Sequence, residues 1–160
     1  MVAETEAGPA HVLVADDEVH TRLSLSLILR KGGFRVTAVQ DGLEALHRLL
    51  SEQERDRGFD LLVLDVQMPG LTGTELLEQI ETLNLSVPIL LISGYSDRDM
   101  VDLLERKGSI AYAEKPFSPG EFLAHVRGIL DRPLHGMPDA PSAVVKQRED
   151  LPHARDGRTV

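Results

Sequence analysis

Apolar residues fall in five short runs along the chain, and each run is followed by a stretch in which apolar residues recur every three or four positions. The runs are HVLVA (11–15), FRVTAV (34–39), LLVLD (61–65), VPILLIS (87–93) and IAYAEK (110–115). Segments such as LLVL and ILLI are apolar at every position, which is typical of parallel strands that helices cover on both faces. The pattern predicts five βα units that form an α/β sandwich of three layers.

Local signals mark where the helices begin and end. Three segments place a capping oxygen three residues before a glutamate, which is the signature of a helix start. They are Asp41–Glu44, Thr72–Glu75 and Ser118–Glu121. Glycines that follow a helical stretch predict its end, because glycine adopts the left-handed conformation without penalty. These glycines are Gly32, Gly33, Gly58 and Gly108.

Both ends of the chain differ from the βα segment. We expect residues 1–10 to be a flexible N-terminal segment and residues 11–131 to form the domain. The last predicted helix, Pro119 to Leu130, closes the domain with an apolar stripe made of Phe122, Leu123, Val126, Ile129 and Leu130. The segment 132–160 is rich in proline and poor in large apolar side chains, so we expect a disordered tail.

Composition narrows the class of protein. The chain has 160 residues, of which 42% are hydrophobic and 27% charged, a balance that suits one domain with an extension. It has no cysteine, so disulfides, thiolate zinc sites and cysteine nucleophiles are excluded. The N-terminus lacks a signal-peptide pattern, and no apolar run approaches the ~20 residues of a membrane helix. We therefore expect a cytoplasmic protein with no membrane contact.

The net charge of -9 argues against direct binding to nucleic acid. Residues 131–160 carry five basic and five acidic residues, so the whole acidic excess lies in the part expected to fold. Proteins that bind nucleic acid usually show the opposite balance, because lysine and arginine neutralise the phosphates. We expect no direct nucleic-acid partner.

Polar residues collect where the predicted strands end. Asp16, Asp17 and Glu18 follow the first strand, Asp65 ends the third, Ser93 ends the fourth, and Lys115 ends the fifth. Each one alone has an ordinary explanation, such as a helix cap or a solvated surface charge. Ligands of open α/β sheets bind beyond the carboxyl ends of the strands, so the residues of this set are expected to lie together.

Carboxylates that converge on one rim repel each other, and a cation relieves the repulsion. Oxygen ligands without histidine or cysteine favour a hard divalent ion, and Mg²⁺ fits best because it binds one or two carboxylates together with phosphate oxygens. A metal, a lysine and a hydroxyl indicate phosphoryl chemistry. Asp65 is the candidate nucleophile, since an ionised carboxylate needs no general base to attack phosphorus.

Taken together, these residues resemble the receiver domain of bacterial two-component response regulators over about His11 to Asp131. The resemblance rests on an acidic pair, a phosphoacceptor segment, a hydroxyl residue before a small one, an aromatic residue and a Lys-Pro pair, in the order of the family. In this chain they are Asp16-Asp17, LDVQMPG (64–70), Ser93-Gly94, Tyr112 and Lys115-Pro116. The fold implied is flavodoxin-like, with strand order 2-1-3-4-5.

The resemblance also implies a role for each site residue. Asp65 would accept a phosphoryl group from a phosphohistidine on a sensor histidine kinase or a phosphotransfer protein. Asp17, Asp65 and the backbone carbonyl of Gln67 would hold Mg²⁺, and Asp16 would act mostly through bound water.

Three other residues complete the implied site. Lys115 would pair first with Asp65 and then with the phosphoryl oxygens, and the Lys115–Pro116 bond would be cis. The Ser93 hydroxyl would move to the phosphoryl group, and Tyr112 would swing inward behind it. This movement would alter the face formed by the predicted fourth helix, fifth strand and fifth helix, to which a downstream protein target would bind. We expect a monomer or a weak dimer that depends on phosphorylation.

Several alternatives remain open from the sequence. A haloacid-dehalogenase-like phosphatase also uses an aspartate nucleophile with Mg²⁺, but its Asp-x-Asp signature is missing here. A flavodoxin would need a first loop that binds phosphate, whereas Asp16, Asp17 and Glu18 would repel one. The chain could also be an interaction module that is never phosphorylated, or a receiver fragment of a hybrid histidine kinase or longer regulator. We expect no enzymatic turnover beyond self-phosphorylation and autodephosphorylation.

Overall fold

The computed structural model describes residues 8–54, 58–68, 70–94 and 110–131. The first seven residues, the predicted fourth helix with its stop at Gly108, and the predicted tail all lie outside these ranges. The strands are β1 (His11–Ala15), β2 (Arg35–Val39), β3 (Leu61–Asp65), β4 (Ile89–Ser93) and β5 (Ala111–Glu114). The described helices are α1 (Val19–Lys31), α2 (Gly42–Glu54), α3 (Gly73–Thr82) and α4 (Pro119–Leu130).

The strands form one sheet in the order β2-β1-β3-β4-β5, and every neighbouring pair is parallel. The predicted fold class and strand order are therefore confirmed. β3 lies in the centre and is buried along its whole length, which explains why LLVL carries no polar side chain. β4 begins two residues later than its apolar run, because Pro88 has no backbone N–H to donate to the ladder and contributes only its carbonyl, to Leu62 N.

Alternate residues of the strands point into two apolar layers. On one face, Leu13, Leu62 and Leu91 pack with side chains from α2 and α3. On the other face the sheet packs with side chains from α1 and α4, including the buried Phe122 and Val126. The other three residues of the predicted stripe on α4 are partly buried against this second layer, so the three-layer arrangement is confirmed.

The helix starts agree with the predicted capping segments. Thr72 and Ser118 each close a reciprocal capping box with the glutamate three residues on, and Glu44 N donates to the Asp41 carboxylate. The end of α1 differs in detail from the prediction. Gly32 stays in the right-handed region at φ -76°, and Gly33 is the residue in the left-handed conformation, at φ 92°. The N–H groups of Gly33 and Phe34 then close a Schellman motif on α1.

Candidate functional site

The carboxyl ends of four strands bring the predicted polar residues to one edge of the sheet. Asp16 and Asp17 come directly after β1, Asp65 is the last residue of β3, Ser93 is the last residue of β4, and Lys115 follows β5. The order of the sheet places β3 between β1 and β4, so Asp65 lies in the middle of this group. Parallel pairing therefore gathers residues that are up to a hundred positions apart in the chain.

Three carboxylates meet at this edge. Carboxylate oxygens of Asp16, Asp17 and Asp65 all lie within 4.8 Å of one another. Asp16 is fully buried, Asp65 is buried and Asp17 is exposed, so the cluster has one side open to solvent. Such a cluster offers only oxygen ligands, which suits a hard cation with some of its water retained.

Lys115 places a positive charge beside this cluster. Its Nζ lies 3.4 Å from Asp65 Oδ2 and 3.6 Å from Asp16 Oδ2. The charge of one lysine offsets that of one of the three carboxylates, so the ionised cluster keeps two net negative charges. A divalent cation would neutralise it.

Asp16 is the most deeply buried of the acidic groups. Its Oδ1 accepts a hydrogen bond from Glu18 N at 2.9 Å. Its Oδ2 has no hydrogen-bond partner among the described residues and lies 3.6 Å from the ammonium of Lys115. Burial, reinforced by the nearby Asp65 carboxylate, raises the pKa of Asp16 to about 6. The ionised form is thus costly unless a further cation faces that oxygen.

Asp65 is held from two directions. Its Oδ1 accepts a hydrogen bond from Gln67 N at 3.0 Å, and its Oδ2 faces Lys115. The buried strand behind it and the turn at Gln67 fix the carboxylate at the rim. This geometry leaves one carboxylate oxygen bound to the turn and directs the other toward the charged centre of the site.

The start of α1 supports the acidic pair through contacts that the sequence did not suggest. Arg22 donates from a guanidinium N–H to the Asp16 carbonyl at 2.8 Å. The Glu18 carboxylate caps α1 by accepting from His20 N and from both Thr21 N and the Thr21 hydroxyl. These bonds lower the pKa of Glu18. The sequence could have indicated Arg22, because it lies in the first turn of a helix that follows an acidic loop. It could not have indicated Glu18 as the cap, because glutamate is not among the usual N-cap residues.

Ser93 and Tyr112 lie on the same face of the sheet. Tyr112 pairs with Leu91 in the register of β4 and β5, and Ser93 is two residues beyond Leu91. Ser93 is 1% exposed. The Tyr112 ring is already buried in the apolar layer beneath α2 and α3. The Lys115–Pro116 peptide bond is cis, as the resemblance implied, and Lys115 N donates to the Ser93 carbonyl at 2.7 Å.

The donor set fits Mg²⁺ on the chemistry of its atoms. The cluster combines a buried carboxylate oxygen to which none of the described residues donates a hydrogen bond, a second buried carboxylate and an exposed one. Gln67 is placed next to Asp65 by the bond from its N–H, so its backbone is also close to the cluster. Ligands of this kind favour Mg²⁺ over softer transition metals.

Comparison with known proteins gives the family. The sequence pattern described as "Response regulator receiver domain" matches residues 12–127. The chain belongs to this family. It is 39% identical over 138 residues to Protein PetR of Rhodobacter capsulatus, an alignment that covers 86% of this chain and 54% of PetR.

Solved structures agree with this assignment. The Vibrio cholerae chemotaxis protein CheY4 is 27% identical with a TM-score of 0.68, and the match covers 77% of this receiver chain and 100% of that structure. The CheY chain in a CheX-CheY-BeF3-Mg²⁺ complex from Borrelia burgdorferi is 25% identical, also at 0.68, and covers 78% of this chain and 92% of that one. Membership of the receiver family leaves no support for the phosphatase and flavodoxin alternatives.

The chain spans about half or less of the length of three curated relatives that it matches. The shares are 54%, 30% and 50%, and one of the three is the transcriptional regulatory protein ZraR of Klebsiella oxytoca. None of the described helices is long and apolar enough to cross a membrane.

Proposed function

We propose that this receiver domain is a phosphoacceptor that is phosphorylated on Asp65 and passes the signal to a protein partner. The observation that carries the proposal is the position of the Asp65 carboxylate at the rim, within 4.8 Å of two other carboxylates and 3.4 Å from the ammonium of Lys115. The donor is a phosphohistidine on a sensor histidine kinase or a phosphotransfer protein.

In the proposed reaction a carboxylate oxygen of Asp65 attacks the phosphorus atom of the phosphohistidine. A P–O bond forms on Asp65, the P–N bond of the donor breaks, and the electron pair and a proton from solvent go to the leaving imidazole. Lys115, which faces Asp65 Oδ2 in the free domain, is then within reach of the phosphoryl oxygens. This transfer needs positioning and charge neutralisation more than acid–base help.

Mg²⁺ would be held by Asp17, Asp65 and the carbonyl of Gln67, with Asp16 acting mostly through water, and it would neutralise charge on the transferring group. Asp16 and Lys115 set the local charge before transfer. The exposed side of the cluster, at Asp17, gives the donor access to Asp65.

The response would begin at the Ser93 hydroxyl, which bonds to the new phosphoryl group. Support comes from the position of Ser93 at the end of β4, on the same face as Tyr112. A dianionic group with strong acceptor oxygens can bias a two-state element through such a donor. The Tyr112 ring would follow Ser93 and change the surface around β5 and its flanking helices.

The family suggests where the signal goes. We infer a cytoplasmic protein that acts through protein contact rather than by binding nucleic acid or a membrane itself, as a monomer or a weak phosphorylation-dependent dimer. Because similar proteins are longer, the chain can equally serve as the receiver part of a longer regulator or a hybrid kinase. No turnover is proposed beyond gain and loss of its own phosphoryl group.

The test is to incubate the full chain with Mg²⁺ and acetyl phosphate and to measure phosphoryl incorporation by intact mass and by lability to hydroxylamine. We expect one phosphoryl group on the wild type and none on Asp65→Asn. Asp60→Asn is the matched control, because Asp60 is an exposed carboxylate at the opposite end of β3 that accepts a hydrogen bond from His11 N.

Two results would contradict the proposal. A wild type that takes no label in Mg²⁺ would favour the unphosphorylated interaction module. A label that persists in Asp65→Asn would place the acceptor on another residue.

A further inference from the structure

Two glycines lie against the loop that joins the candidate phosphoacceptor to α3, and neither position has room for a side chain. Gly73 is the first residue of α3 and is buried. Gly42 is the first residue of α2. The loop that joins Asp65 to α3 is described at residues 66–68 and 70–72, and it carries Gln67, the proposed metal ligand.

Gly73 packs against the residues that begin the loop. A Cβ at this position would lie 2.7 Å from Val66 Cα and 2.9 Å from the Asp65 carbonyl oxygen. Gly73 N also donates to the Val66 carbonyl at 3.2 Å, so the two ends of the loop are bonded to each other. The contacts are with backbone atoms, which cannot rotate away as a flexible side chain can.

Gly42 packs against the other end of the same loop. A Cβ there would lie 2.4 Å from the Leu71 carbonyl oxygen and 3.2 Å from Leu71 Cβ. Leu71 cannot retreat freely, because its side chain packs against the apolar layer beneath α2 and α3. The loop is therefore bounded by backbone contacts at both ends, one from its own helix and one from α2.

We propose that Gly42 and Gly73 are positioning residues, whose lack of a side chain lets the loop close and so sets the placement of Asp65 and Gln67 for Mg²⁺. The inference rests on the proposed phosphoacceptor function of this site. A methyl group at position 73 would move either the N-terminus of α3 or the backbone that carries Asp65. A methyl group at position 42 would displace Leu71 and with it the loop.

The test compares Gly73→Ala and Gly42→Ala with Gly128→Ala in the full chain. Gly128 lies in α4 and a Cβ there would meet nothing within 4 Å, so its alanine variant controls for the change of residue type. Mg²⁺ affinity is measured by isothermal titration, and phosphorylation by acetyl phosphate at saturating Mg²⁺. Both are measured at a temperature where urea unfolding shows that each variant is folded.

For each site variant we expect Mg²⁺ binding to weaken about tenfold or more, in the range seen when support of a metal ligand is lost. Phosphorylation at saturating Mg²⁺ should also slow by about tenfold, because misplacement of the nucleophile is not corrected by more metal. Gly128→Ala should match the wild type in both measurements. A glycine that matters only for stability would lower the resistance to urea and leave the affinity of the folded protein unchanged.

The inference is overturned if the folded site variants bind Mg²⁺ and take label within twofold of Gly128→Ala. If Gly73→Ala does not fold, Gly42→Ala decides the question by the same criteria. A wild type that binds Mg²⁺ but takes no label would remove the proposed function, and the comparison of Mg²⁺ affinities would still decide the role of the glycines. A wild type that binds no Mg²⁺ would contradict both the proposed function and the proposed role of the glycines.

Discussion

At the scale of single residues, Asp16 shows how burial and function oppose each other. The side chain is fully buried beside Asp65, and its pKa rises from 3.8 to about 6, with burial as the main cause. The folded protein thus holds a proton on Asp16 more firmly than the unfolded chain does. Without a metal, the contribution of Asp16 to stability is present below pH 4 and is lost as the pH rises through about 6.

The raised pKa of Asp16 predicts a competition between protons and Mg²⁺. Below a pH of about 6 the metal must displace the proton on Asp16, so apparent Mg²⁺ affinity should fall by about tenfold per pH unit there and level off above it. Titration calorimetry between pH 5 and pH 8 measures the dependence. Asp16→Asn should remove the dependence near pH 6, and Asp60→Asn should keep it. Equal affinity at the two ends of this range would contradict the role of Asp16.

The gathering of the charged site residues could be predicted from the chain alone, because each follows an apolar run and parallel strands end at one edge. Two supporting contacts could not be predicted. The bond from Arg22 to the Asp16 carbonyl depends on the path of the loop before α1. The contact of Gly42 with Leu71 joins the start of α2 to the loop before α3, and their distance depends on how the two helices pack.

At the scale of elements, two helices begin with the same motif, a capping box. Thr72 caps α3 and Ser118 caps α4, and in each case the glutamate three residues on returns a bond to the capping residue's N–H. The sequence signature sufficed for both, because a capping box is local. The end of α3 has no glycine to mark it: Asn84 takes the left-handed conformation at φ 54°, in a position where glycine is more usual.

We expect Thr72→Ala and Ser118→Ala each to lower the free energy of unfolding by about 1 kcal/mol, since each leaves a backbone N–H of the first turn without its acceptor. Urea unfolding followed by circular dichroism measures this change. Ser51→Ala is the control, because the Ser51 hydroxyl bonds back to the His47 carbonyl within α2 and caps nothing. Cap variants that unfold at the same urea concentration as Ser51→Ala would show that the boxes add no stability.

At the scale of the whole molecule, the fold concentrates negative charge at one edge of its sheet. The chain has a net charge of -9, and three of its carboxylates share the rim, with Lys115 as their close cation. The unfolded chain separates Asp65 and Lys115 from the adjacent Asp16 and Asp17, so it has no comparable site. A divalent cation that fits the rim therefore binds the folded protein in preference to the unfolded one, which couples the metal to the stability of the entire sheet.

This coupling predicts that Mg²⁺ at a hundred times its dissociation constant stabilises the protein by about 2.7 kcal/mol. Thermal unfolding in MgCl₂ and in NaCl of equal ionic strength measures it, because NaCl screens the general excess of negative charge without occupying the site. The extra stabilisation by MgCl₂ should shrink in Asp17→Asn, which removes an exposed carboxylate with little effect on packing. Asp60→Asn lies at the far end of β3 and should keep the full Mg²⁺ effect. If NaCl raised the midpoint as much as MgCl₂, the cluster would be a site of screened repulsion and not a metal centre.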